Sequence, residues 1–541
     1  MLLKKLIKNP PFNIKNIDIK DLALDSRKIK KGDLFFALKG SNLNGSVFID
    51  EAIKKGAKAI ICSKDSNIKN KKDIGIIKVK NPREYLTYAC LKFFKNKPRN
   101  VIAVTGTNGK SSVADFFYQI LSRNNLPVAS IGTLGIKTKN KIKKTNLTSL
   151  DIISIHRELY NLKKSGIENV IIEASSHGLA QGRLDGINFT TGIFTNFSQD
   201  HLDYHKNMKN YFDSKMILFS KFLLKKKNII SDKEIKEFSI IKRISKRRKL
   251  NLFTIDTNSI IKSDKIPLVG KFQIKNLLMA SLASKLCGLN DKKITLAIKA
   301  IKSVNGRLEL VRVLPNKAKI FIDYAHTPDA LLTVLQSLKK QYNNKISLVF
   351  GCGGERDKKK RKVMARIARD FCQKIYVTDD NPRRENPKKI RKMITRELKK
   401  GSYVEIGNRT KAIKRAIQNS EPLEIVLVAG KGHEITQDYG EKIIKISDKS
   451  IIKKIKFKKF KFKKEQYNRY FNSEILNLSI NKKKEFKGVS INSKEIKKEN
   501  IFVAIKGRNK DGHNYVSEAI KKGSNFCIIS KNVKNSHRKK L

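Results

Sequence analysis

The sequence predicts an α/β protein built mainly on parallel sheets, and three observations carry that prediction. Strand-like apolar runs (VIAV, NVIIE, GIFTN, KIFID, ISLVF, KIYVT and EIVLV) recur along the chain, separated by segments of helical periodicity. The first run leads directly into a glycine-rich loop and a helical pattern, VIAVTGTNGKSSVADFF from Val101. Residues 24–65 and 491–532 also align without a gap, sharing 19 of 42 positions. A common lysine bias would not give that, so the chain repeats one of its parts.

Each copy of the repeat reads as a strand, a glycine turn, a helix and a strand, with the helix ending at Gly56 or Gly523. No second TGTNGKSS follows the second copy. Pro98 precedes the loop-bearing segment, and VNGRLELV around Arg307 reads as a joint. KKIKFKKFKFKKE at 453–465 reads as a basic, solvated linker. The expected domains are therefore 1–98, 99–308 and 309–452, then the linker 453–465 and the partial repeat 466–541.

A chain of 541 residues has room for three or four domains. Its 118 Lys+Arg against 48 Asp+Glu give a formal charge of +70, which invites a nucleic-acid reading. Lysine is spread through every segment, however, and no arginine-aromatic stripe occurs, so no nucleic-acid partner is expected. The six cysteines form no C-x-x-C and no zinc spacing, which fits free thiols in a reducing cytosol. MLLKKLIKNPPF does not read as a signal peptide, and no run of ~18 apolar residues spans a membrane. A cytoplasmic protein without membrane insertion is expected.

The loop departs from the usual G-x-x-x-x-G-K-[ST], because Val104 stands where the first glycine belongs. Its chemistry is intact. Gly106 and Gly109 let the backbone turn tightly, so that N–H groups and the next helix N-terminus can face an anion. Lys110 adds charge for the outer phosphates, and Ser111 offers a hydroxyl to Mg²⁺. Glu173 ends a strand, where an α/β sheet binds its ligands and a Mg²⁺ ligand belongs. GIFTNFSQDHLDYHKNMKNYFDSK gathers Asn196, Asp200, His201, Asp203, His205 and Lys215 in one span. Zinc ranks low there without cysteines or an H-E-x-x-H helix, and GHEIT at 432–436 lacks a second histidine.

TGTNGKSS, EASSHGLAQGR, FTNFSQDHLDYH, VGKFQIKN, DYAHTPDAL, FGCGGERDKKKR, DDNPR and AGKGHE occur in the order of the Mur ligase family, which the chain resembles over about residues 1–450. T-G-T-x-G-K-[ST] is that family's own phosphate loop. The resemblance implies three α/β domains: an N-terminal nucleotide-sugar domain, a central P-loop ATPase domain with a parallel sheet, and a Rossmann-like C-terminal domain. It implies ATP and Mg²⁺ as cofactors and an acyl-phosphate mechanism in peptidoglycan precursor synthesis. The motifs look most like the branch adding meso-diaminopimelate to UDP-N-acetylmuramoyl-L-alanyl-D-glutamate. A lysine-adding or folylpolyglutamate synthetase-like ligase is the alternative. A monomer that contacts other Mur ligases is expected.

Carried over by motif, Gly106, Thr107, Asn108, Gly109, Lys110, Ser111 and Ser112 hold the phosphates, with Asn276 and Arg307 completing the ATP site. Ser111, Glu173, His201 and a carbamylated Lys215 bind Mg²⁺; Lys110, Glu173, His201 and Lys215 are the catalytic set. Gln273 stands where the family usually has Asn. Leu24, Ser26, Ser41, Asn42 and Leu43 match uridine-side positions. Asn146, Leu147, Thr148, Ser175, Gln181 and Arg183 match contacts to the sugar-peptide, Leu147 replacing a usual threonine. Arg356, Asp380, Asn381, Pro382, Arg383, Gly430 and Glu434 match the diaminopimelate site. There Arg383 would pair with the distal carboxylate and Glu434 with the distal ammonium. The tail from about 466 resembles the start of the sister ligase that adds D-alanyl-D-alanine, and is expected to be a remnant.

Overall fold

The computed structural model describes residues 1–10, 16–40, 44–68, 74–145, 147–256, 266, 268–455, 488–507, 510–524 and 526–530. The chain forms two units. The larger takes in Met1–Val313, Lys319–Ser420 and Glu424–Lys454, and the other contains the second copy of the repeat.

Three of the larger unit's sheets follow one another along the chain, and all seven predicted runs are strands in them. The first sheet is parallel, in the order Leu22–Ala23, Leu34–Phe36, Ala59–Ser63, Gly75–Val79. Alternate residues face opposite sides of a strand. Phe35, Ile60 and Cys62 therefore pack with Ile49 and Ala52 of helix Ile49–Lys54. Leu34, Phe36 and Ile61 pack with Leu86, Ala89 and Cys90 of helix Pro82–Phe93.

The second sheet has eight strands. Asn100–Thr105 lies in its middle, between Phe189–Phe194 and Asn169–Glu173, and pairs in parallel with both. Leu223–Ser231 and Asn251–Thr254 extend one side in parallel. Val128–Gly132 extends the other in parallel, and Gly135–Lys137 and Ile142–Lys143 add an antiparallel edge. Helices cover both faces, which is why the central strands read as continuous apolar runs. On one face Val113, Phe116, Phe117 and Ile120 of helix Lys110–Arg123 interlock with Leu277, Met279 and Ala280 of helix Lys271–Leu286. That packing brings the helix carrying Asn276 over the phosphate loop.

The third sheet has six strands in the order Glu309–Val313, Lys319–Asp323, Ile425–Ala429, Ile346–Phe350, Lys374–Val377, Tyr403–Glu405. Only its first pair is antiparallel. The expected boundary at 452 falls inside a helix. Helix Asp448–Lys454 runs through the first two residues of the presumed linker, and the Arg312 guanidinium donates to the Ile452 carbonyl at 3.1 Å. Lys453 and Lys454 thus end a helix, because the helix is anchored by Asp448 on the buried Arg409 guanidinium (2.7 Å). Residues 456–465 of the predicted linker and residues 466–487 lie outside the described residues.

The second unit repeats the local plan of the first sheet: Gly488–Ser490, Asn500–Val503 and Phe526–Ile528 pair in parallel, with helix Val516–Lys521 between the last two. Ser26 donates to Glu51 at 2.6 Å in the first copy, and Ser493 donates to Glu518 at 2.9 Å in the second. Both helices end on a left-handed glycine, Gly56 (φ +97°) and Gly523 (φ +99°).

Candidate functional site

The phosphate-type loop joins strand Asn100–Thr105 to helix Lys110–Arg123, and its two glycines have steric reasons. A Cβ on Gly106 (φ +142°) would lie 1.9 Å from the Thr195 hydroxyl, and one on Gly109 (φ +88°) would lie 2.5 Å from Asn276 Oδ1. The loop is closed by its own lysine: Lys110 Nζ donates to the carbonyls of Gly106 (2.9 Å) and Thr107 (2.7 Å). Gly109 provides no capping side chain, so the first N–H groups of a 14-residue helix are left for an anion. Burial pushes the Lys110 ammonium below its ordinary range.

Glu173 is buried beside this loop. Its carboxylate accepts from the Ser111 hydroxyl at 3.0 Å, the Thr133 N–H at 2.9 Å and the Thr133 hydroxyl at 3.1 Å. A hydroxyl and a carboxylate in contact at a phosphate loop are a hard oxygen donor set, and they fit Mg²⁺, which needs few protein ligands when phosphates supply the rest. Among the described residues there is no cluster of three His, Cys, Asp or Glu side chains able to hold a metal alone. His201 lines the same cavity, with its ring 3.4 Å from the Asp200 carboxylate and its pKa pushed down by burial.

Lys215 is 1% exposed. Its Nζ donates to the Gly106 carbonyl at 2.8 Å and lies 4.3 Å from the centre of the Tyr211 ring. Two lysines, Lys110 and Lys215, thus converge on one carbonyl oxygen. Burial first, and the Lys110 charge second, push the Lys215 pKa well below the ordinary lysine range.

These groups share a cavity of about 460 Å³. Thr107, Asn108, Gly109, Lys110, Ser111 and Ser112 line it, as do Asn276 and Arg307. Gly106 lies behind them, its carbonyl occupied by the two lysines. Arg307 reaches the loop: one Nη donates to the Ser111 hydroxyl at 3.2 Å, the other lies 3.2 Å from His433 Nδ1, and the guanidinium stacks 4.4 Å from the Tyr324 ring centre. Gln273 is buried, donates to the Arg307 carbonyl (3.0 Å) and accepts from Asn276 (3.3 Å). The glutamine therefore joins two residues of the predicted nucleotide site.

A second cavity, of about 480 Å³, shares Asp200, His201, Tyr324, His326 and Asp329 with the first. Arg356, Asp380, Asn381, Arg383, Gly430 and Glu434 line it, while Pro382 does not. Arg356 pairs with Asp203 at 2.9 Å. Arg383 is held in a left-handed conformation (φ +51°), and its Nη1 donates to the Gly354 carbonyl at 2.8 Å. Glu434 accepts from Lys431 at 2.7 Å and from Asn381 at 3.1 Å.

The predicted muramoyl contacts divide. Leu24, Gln181 and Arg183 line a third cavity of about 270 Å³ together with Arg83 and Lys39. The Arg183 guanidinium forks onto Gln181 Oε1 (2.9 and 2.6 Å). Thr148 and Ser175 line the first cavity instead. Ser26 is buried against Glu51 and lines none of the three. Leu147 is exposed, and Ser41, Asn42, Leu43 and Asn146 lie outside the described residues.

Sequence reasoning missed Thr133, Arg83, His326 and Lys431. Thr133 and Arg83 stand in segments with no chemical pattern of their own. Lys431 carried a signal, since it precedes the glycine of GKGHE, but in a chain this rich in lysine it looks ordinary.

Sequence comparison finds the Mur ligase middle domain over residues 104–263 and the Mur ligase glutamate ligase domain over 306–432. The Mur ligase family catalytic domain matches over 18–102 and again over 485–539, the two copies of the repeat. The UDP-N-acetylmuramoyl-L-alanyl-D-glutamate–2,6-diaminopimelate ligase of Rickettsia conorii is 39% identical over 465 residues, covering 81% of this chain and 96% of that protein. The enzyme of the same name from Chelativorans sp. is 37% identical over 461 residues, 81% of this chain and 94% of its own. A solved structure of a ligase of this name superposes with a TM-score of 0.59 at 26% identity, covering 84% of this chain and 98% of the other. The MurF ligase of Thermotoga maritima in complex with ADP shares the fold, with a TM-score of 0.53 at 17% identity, over 77% of this chain and 95% of its own.

Proposed function

The chain belongs to the Mur ligase family, and on that premise we propose that it is an ATP-dependent amide ligase joining meso-2,6-diaminopimelate to the D-glutamyl γ-carboxylate of UDP-N-acetylmuramoyl-L-alanyl-D-glutamate. One observation carries the reading. A cavity with a phosphate loop and a cavity with an arginine and a carboxylate for a zwitterion meet along the wall of Asp200, His201, Tyr324, His326 and Asp329. The first would take ATP and the second the amino acid, so the acceptor carboxylate belongs where they meet.

A carboxylate resists an amine nucleophile until one oxygen is made a leaving group. In the proposed reaction a γ-carboxylate oxygen takes the terminal phosphoryl group and ADP departs. The amine nitrogen then attacks the acyl carbon, the C–O bond to phosphate breaks, and the nitrogen loses a proton. Both steps bring anions together, so cations and fixed dipoles matter more than an elaborate base. Lys110, Arg307 and the free N–H groups of helix Lys110–Arg123 supply positive charge around the phosphates. Ser111 and Glu173 would hold Mg²⁺, whose charge would offset that of the phosphates.

Lys215 has the environment that carbamylation needs. CO₂ adds to a neutral amine, and burial favours that form of Lys215. The carbamate would turn a cation that repels Mg²⁺ into an anionic oxygen ligand. Residues 1–98 would carry the nucleotide sugar, 99–308 ATP, and the segment from 309 through the end of helix Asp448–Lys454 the amino acid. The test is phosphate release from ATP with the muramoyl dipeptide and diaminopimelate, lysine, or a folate with glutamate. Turnover should depend on diaminopimelate; turnover with the folate pair alone would reassign the chain.

A further inference from the structure

The wall of the amino-acid cavity has a charged side chain behind it that does not line the cavity. Lys431 is 1% exposed, and its ammonium is 2.7 Å from Glu434 Oε2 and 3.0 Å from Asn381 Oδ1. Asn381 closes the triangle, its Nδ2 donating to the same Glu434 oxygen at 3.1 Å and its Oδ1 also accepting the Asp438 N–H at 3.0 Å. One orientation of the amide satisfies all of these bonds, so the group is fixed by its own donors and acceptors. Glu434 and Asn381 line the cavity; Lys431 does not.

We propose that Lys431 is a positioning residue that sets amino-acid specificity by neutralising Glu434 from behind, so that the site accepts a zwitterionic side-chain end and discriminates against a purely cationic one. The inference rests on the functional reading above. A carboxylate standing alone would attract any ammonium, including that of lysine. With one oxygen tied to a buried ammonium and an amide, Glu434 keeps a directional acceptor but little net attraction. Binding then depends on the second half of the zwitterion, the carboxylate facing Arg383. Lys431 also fixes Asn381, which leads into the turn that carries Arg383.

Removing the Lys431 charge should therefore do two things. It unpins Asn381, which weakens diaminopimelate binding, and it leaves Glu434 more anionic, which favours a cationic competitor. The experiment compares phosphate release by the full chain, wild type against Lys431→Met and Lys431→Gln, with diaminopimelate and with lysine, after thermal melting confirms folding. KM for diaminopimelate should rise about ten- to hundred-fold, the size of a lost charged hydrogen bond, with a smaller change in kcat. The ratio of kcat/KM for diaminopimelate over lysine should fall by at least about tenfold. A purely structural lysine would lower both activities together and leave the ratio alone, which would overturn the proposal. Failure of both variants to melt cooperatively would also overturn it, by assigning Lys431 to stability. A wild-type chain inactive with diaminopimelate would defeat the functional reading instead, so the two failures are distinguishable.

Discussion

Replacing Glu173 by glutamine removes one charge from the site while keeping its shape. The carboxylate accepts three hydrogen bonds, from the Ser111 hydroxyl, the Thr133 N–H and the Thr133 hydroxyl. Glutamine keeps an acceptor for the N–H, and both hydroxyls can rotate to accept from its amide. The structural cost is then the loss of charge assistance, about 1–2 kcal/mol. The functional cost is larger, because the buried anion facing the phosphate loop is gone. Losing one preorganised electrostatic partner is worth about 3–4 kcal/mol, or about 10²–10³ in kcat. The assay is phosphate release at saturating substrates across a Mg²⁺ titration, with melting as the control for folding. The Glu173→Gln chain should stay folded, turn over about 10²–10³ more slowly and require more Mg²⁺. Wild-type turnover with an unchanged Mg²⁺ dependence would refute the placement of the metal at Ser111 and Glu173.

Lys215→Ala should be inactive and regain some turnover with added acetate, which can occupy the carbamate's place; full activity without acetate would show that no carbamate is needed. Arg383→Ala should lose about ten- to hundred-fold in kcat/KM for diaminopimelate without becoming efficient with lysine, because nothing new meets the lysine side chain. Stability should fall in acid through His156, which burial pushes from 6.5 down to about 4. This ring donates from Nε2 to the Asp185 carbonyl at 2.9 Å, and Nδ1 is buried without a partner. A depressed histidine stabilises the fold above its unfolded pKa and loses that contribution as pH falls through the folded one. Unfolding free energy should therefore drop by about 3 kcal/mol between pH 6.5 and 4. His156→Gln should flatten that slope, and an unchanged slope would exonerate the residue.

The sheets were legible because strands covered on both faces must be apolar throughout, as VIAV and NVIIE are. The loop was legible for a different reason: Gly106 and Gly109 face atoms too close for any Cβ, and such positions admit little variation. Residues whose role arises through long-range contact were not legible. Thr133 meets Glu173 across 40 residues, and His326 lies 3.8 Å from Asp200 across a far longer stretch. Thr133 has no local pattern, and the DYAHTPDAL motif around His326 does not say which distant residue the ring meets. The helix through Lys454 was missed because a lysine-rich run looks solvated until Asp448 is seen to anchor it on Arg409. Glu434 was expected to take the distal ammonium, and only the fold shows that Lys431 and Asn381 already hold one of its oxygens.

The central claim is that the γ-carboxylate is activated by phosphorylation. The most direct test is to supply UDP-N-acetylmuramoyl-L-alanyl-D-glutamate with ¹⁸O in the D-glutamyl γ-carboxylate, together with ATP, Mg²⁺ and diaminopimelate, and to analyse the released phosphate by mass spectrometry. The account predicts one ¹⁸O atom carried from the carboxylate into each phosphate formed during ligation. Amide product accompanied by unlabelled phosphate would contradict it.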